Sequence, residues 1–143
     1  MIKKQILYIT LLFTIVALAA TGAMAQGKQK NSPFLITGKM PHLTKVLVQN
    51  WDNAELNLTE EQKVKLLVVR KETIGSAQRL GKEIAGLEQQ VADGSLAGKK
   101  PEELGSLVEQ VAKLKTEATM THLRCIFNTS NILDQQQLDV LTK

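Results

Sequence analysis

The chain has little of what most folds and most enzymes are built from. It carries one cysteine, Cys125, in 143 residues. No disulfide can therefore close within one copy, and in an oxidising compartment an odd thiol is buried, reactive or bridged to a second copy. Aromatic residues make up 3% of the sequence, with a single Trp, and no segment alternates apolar and polar residues as half-buried strands do. That leaves an all-α chain with a thin core. There is no glycine-rich phosphate loop, no histidine and carboxylate around a nucleophile and no metalloprotease motif, so the expectation is that it is not an enzyme. His122 and Cys125 do not change this, because they lie on one helix, whereas thiol catalysis brings its base in from elsewhere in the fold.

The only long apolar run stands at the start. Lys3 and Lys4 precede the stretch from Ile6 to Ala20, and Ala23-Met24-Ala25 forms an A-x-A cleavage signal. This is the pattern of a secretory signal peptide, and an uncleaved anchor would need a longer run. Residues 1–25 are therefore expected to be removed on export across a bacterial inner membrane to the periplasm, with no stable membrane insertion afterwards. No cysteine lies at the cleavage site, which argues against a lipoprotein. Two of the 18 basic residues go with this segment, leaving near balance against 14 acidic ones, too even for a nucleic-acid binder.

Residues 26–40 read as a flexible N-terminal segment, although Pro33-Phe34-Leu35-Ile36 is apolar enough either to pack or to stay extended. Residues 41–143 read as one helical domain. Leu43, Val46, Leu47 and Trp51 recur at helical spacing, predicting a short helix from Pro41 to about Asn53 with the proline in its first turn. His42, near its start, reads as an isolated surface residue. Two capping boxes then bracket the rest. Thr59 with Gln62 starts a helix whose first turn carries Glu60 and Glu61, on the positive end of the helix dipole. Asp134 with Gln137 starts another, stapled by Leu133 and Leu138.

Between the boxes the spacing predicts a helix from Glu60 to about Ala92, a break from Asp93-Gly94-Ser95 to Pro101, and a second long helix from Pro101 to about Asn128. Residues 131–133 lead to a last helix over 135–141. Ala77, Leu80, Ile84, Leu87 and Val91 form one seam, and Leu104, Leu107, Val111, Leu114, Ala118, Thr121 and Cys125 form its counterpart. The fold class is a long antiparallel helical hairpin with short flanking helices, four helices per protomer. The apolar stripe through Leu66–Val69 and a second one through Met120, Leu123, Ile126 and Phe127 exceed what one seam needs, which makes a homodimer the expectation.

Leu-Asn-Leu-Thr-x-x-Gln at residues 56–62 and Asn-Ile-Leu-Asp-x-x-Gln at residues 131–137, flanking a helical hairpin, resemble the LTXXQ-motif (Spy/CpxP-like) family of bacterial periplasmic proteins. The second motif departs from the family pattern at Asp134, which keeps the cap. The resemblance covers roughly residues 40 to 143. It implies an antiparallel, cradle-shaped dimer and an envelope-stress role: an ATP-independent chaperone for unfolded periplasmic proteins, an accessory to a sensor protein, or a metal-responsive protein. Leu58, Thr59, Gln62, Leu133, Asp134 and Gln137 are the motif positions, with a structural role.

For a chaperone, Arg70, Lys71, Arg79 and Lys82 are the candidate client-binding cations, with a solvated helix face as the alternative reading. Few methionines survive processing, only Met40 and Met120, so the adaptable thioether surface of promiscuous binders is scarce. The alternative function is metal binding or sensing. His122 and Cys125 are three residues apart on a helix and suit zinc or copper, with a dimer doubling two ligands to four. A core cysteine beside an interfacial histidine is the plainer reading of the same pair.

Overall fold

The computed structural model describes residues 32–142. The expected signal peptide and residues 26–31 lie outside them. The described chain is helical throughout its regular parts, with four helices: α1 Leu43–Gln49, α2 Glu60–Leu96, α3 Pro101–Ile132 and α4 Gln135–Thr142. Among the described residues there is no strand, and no helix long and apolar enough to cross a membrane.

The helix starts follow from their caps. At α2 the Thr59 hydroxyl accepts the Gln62 amide at 3.1 Å and the Gln62 side-chain oxygen accepts the Thr59 amide at 3.0 Å. Asp134 and Gln137 repeat this at α4, at 2.8 and 3.0 Å. At α3, Pro101 takes the first helical position, and the Lys100 amide donates to the Glu103 carboxylate at 2.9 Å. Lysine has no acceptor, so only that half of a capping box forms there.

The ends differ from the sequence reading. Helix α2 runs through Asp93-Gly94-Ser95 and stops at Leu96 because the residue in the left-handed region is Gly98, φ +78°. Around it the Gly98 amide donates to Ser95 O at 3.1 Å and the Lys99 amide to Gly94 O at 3.0 Å, the paired bonds of a Schellman motif. Gly94 serves packing instead: a Cβ there would stand 2.7 Å from Leu104 Cδ2. Helix α3 continues past Asn128 to Ile132, so only Leu133 and Asp134 separate it from α4. Helix α1 is shorter than expected, and Pro41 lies before its cap, His42, rather than in its first turn.

Contacts between α2 and α3 run in opposite sequence order: Gly94 with Leu104, Glu88 with Lys115 at 2.7 Å, and Arg79 with Glu117 at 3.3 Å. Every residue of the two expected seams is buried or half-buried. The core is split in two. Leu80, Ile84 and Ala118 are buried between the long helices, with Phe34, Val111 and Leu114 against them. Leu47, Leu56, Leu66, Leu133 and Leu141 form the other cluster, joined by Trp51, Leu58 and Leu138. Pro33–Ile36 does pack in part: Phe34 lies on the first cluster, and the Leu35 amide donates to Thr119 Oγ1 at 2.9 Å.

Candidate functional site

The two motifs meet. Gln62 Nε2 donates to Gln137 Oε1 at 2.9 Å and to the Ile132 carbonyl at 3.0 Å. In return Gln137 Nε2 donates to Gln62 Oε1 at 3.2 Å and to the Leu56 carbonyl at 2.8 Å. Each side-chain oxygen also holds its own cap amide, so both amides use two donors and two acceptors. Gln137 is buried, and a satisfied network of this kind fixes where the start of α2 sits against the start of α4. Leu58 and Leu133 stand on the adjoining leucine cluster. Each box is legible alone; that the two glutamines bind each other is not, because they are 75 residues apart.

Further along α3, His122 and Cys125 are both buried. The His122 ring is stacked on His42, with centroids 4.6 Å apart and planes 16° apart, and Phe34 meets it at 5.0 Å. Cys125 is a free thiol, its Sγ 3.8 Å from Thr44 Oγ1. His42, read from sequence as an isolated surface residue, is exposed overall but spends one ring face on this stack. Two nearly parallel imidazoles cannot aim their in-plane lone pairs at one ion, and no group of three or more metal-ligating side chains occurs among the described residues. The arrangement is that of a packed histidine pair beside a core thiol. His122 Nδ1 is buried without a hydrogen-bond partner. Burial, and then the neighbouring His42, push the His122 pKa below the usual histidine value, while the Pro41 carbonyl opposes them.

The four candidate cations divide. Arg79 bridges Glu83 at 3.1 Å and Glu117 at 3.3 Å, and the two carboxylates hold its guanidinium more firmly protonated. Arg70 reaches the Thr44 carbonyl at 3.5 Å, tying α2 to α1. Lys71 and Lys82 are exposed, with no ion-pair partner among the described residues. The long helices also leave apolar side chains uncovered: Val64 at 61%, Leu67 and Val68 on α2, and Met120, Leu123 and Phe127 at 66% on α3. Two open hollows lie between α2 and α3, one lined by Val64, Val68 and Ile132 and the other by Arg79, Lys82, Leu87, Lys113 and Leu114. No family model, no curated protein and no solved structure matches the chain.

Proposed function

We propose that the chain works in the bacterial periplasm as a dimeric, ATP-independent binder of unfolded proteins, an envelope-stress accessory of the LTXXQ type. The observation that carries this reading is the uncovered apolar set on α2 and α3, with exposed Lys71 beside Val68. Apolar side chains clustered on an open surface among cations favour weak contact with many exposed chains rather than one fitted ligand. The paired capping boxes and the opposite running of the two long helices support the resemblance to that family, and with it the antiparallel hairpin. The Met120–Leu123–Phe127 edge of α3 is the part we assign to a second copy, and the hollow at Val64 and Val68 is the part we assign to clients.

The test is suppression of light scattering from a denatured client by a few-fold excess of the exported form without ATP. Suppression is expected, and it should weaken in a Val64→Asp/Val68→Asp variant that keeps its helicity. Unchanged scattering in the presence of the wild-type protein would remove the chaperone reading. Sedimentation separates the dimer from the client site: Phe127→Glu should convert a dimer to a monomer, and a wild-type monomer at tens of micromolar would refute the assigned edge.

A further inference from the structure

Residues 33–42 form a strap across the two long helices, and two kinds of contact fasten it. At one end Pro33 lies over Gly81, Phe34 covers Leu80, Ile84 and Ala118, and the Leu35 amide holds Thr119. At the other, the His42 ring is stacked on His122. Phe34 also touches the His122 ring, so one buried histidine supports both ends.

We propose that this strap is an acid-released latch: protonation of buried His122 frees residues 33–42 and uncovers the Leu80–Ile84–Ala118 strip beneath Phe34. His122 is 5% exposed and its Nδ1 has no partner, so a proton placed there would be a buried N–H with no acceptor. Of the groups around it only the Pro41 carbonyl offers relief, and burial outweighs it. The strap presents His42 and the Pro41 carbonyl; α1 presents the Thr44 hydroxyl, whose carbonyl is already met by Arg70 of α2; α3 presents Cys125 one turn on and, two turns back, Lys115 already paired with Glu88. No carboxylate is among the groups acting on His122.

The sign follows from linkage. A histidine whose pKa is lowered in the closed state binds its proton more readily once the strap is off. Closure is thus complete above the ordinary histidine value of about 6.5 and is lost as pH falls from there toward the lowered one. The lowered carboxylate Glu61 is fully exposed beside Lys65 and titrates in the acid range below that window.

Amide hydrogen exchange, corrected for intrinsic rates, reads the strap directly. Protection of the Leu35 amide, which donates to Thr119, should fall as pH drops from 7.5 to 5, because the opened strap takes up the proton that the closed one resists. Protection around Leu80 and Ala118, within the helices, should hold. His42→Gln, at an exposed position, should shrink the step, and His42→Gln/His122→Gln should abolish it. Should the double variant not fold, the imidazole titration of His122 in the wild-type protein decides, because its proton uptake must share a midpoint with the loss of protection. A pH-independent strap, a step that survives in the folded double variant, or proton uptake with the strap still closed would overturn the proposal.

Discussion

Replacing Gln137 by Glu changes one atom of the motif interlock and keeps its shape. In the wild-type chain Gln137 Nε2 serves two acceptors, the Leu56 carbonyl at 2.8 Å and Gln62 Oε1 at 3.2 Å, within a side chain that is 6% exposed. Glutamate would turn a carboxylate oxygen toward both. Gln62 cannot rotate its amide to compensate, because its own oxygen holds the Thr59 amide. A buried polar group left without a partner costs about 1 to 3 kcal/mol. Two acceptors, one of them on half-exposed Gln62, therefore put the loss near 3 kcal/mol at neutral pH. Gln137→Ala, which also empties the site, should cost about 2 kcal/mol, and Asp134→Ala, which removes only a cap, about 1 kcal/mol. Urea unfolding followed by Trp51 fluorescence is a suitable assay, since Trp51 packs on the leucine cluster beside the interlock. The double variant Gln62→Ala/Gln137→Ala should show a coupling of about 1 to 2 kcal/mol. Additivity within about 0.3 kcal/mol, or a Gln137→Glu protein as stable as the parent, would refute the interlock as the joint between the helix starts.

The glycines of the long helices should respond according to position. Gly75 and Gly86 have nothing within 4 Å of an added Cβ, so alanine at each should stabilise by about 1 kcal/mol in thermal melts. Gly94→Ala should give no gain, because Leu104 must move to admit it, and Gly98→Ala should lose about 1 kcal/mol through its positive φ. Cys125, 4% exposed, should react with a thiol reagent far more slowly in the native protein than in urea and should run as a monomer on non-reducing gels. A fast native reaction or a disulfide-linked dimer band would show that the thiol is reached.

Helix starts were legible in the sequence because a capping box is a local object, complete within four residues. The seams were legible for a related reason: a repeat of three and four residues leaves every one of its members at least half-buried. The end of α2 was not. Asp93-Gly94-Ser95 has the local chemistry of a turn, but Leu104 packs on Gly94 from the next helix and Gly98 takes the left-handed conformation instead. The His42–His122 stack and the tie from Thr119 to the Leu35 amide join residues about 80 positions apart, and neither leaves a local trace. Among the candidate cations, spacing alone could not separate Arg79, neutralised by Glu83 and Glu117, from the unpaired Lys71 and Lys82.

The order of synthesis gives the pairing of Gln62 with Gln137 a further consequence. The first turn of α2 is translated long before the glutamine that completes its hydrogen bonding, which lies 75 residues further along the chain. This end of the protein therefore cannot seal until Gln137 itself has been made and has emerged from the ribosome. Until then the first turn of α2 carries its own cap but lacks the partner that fixes it against α4.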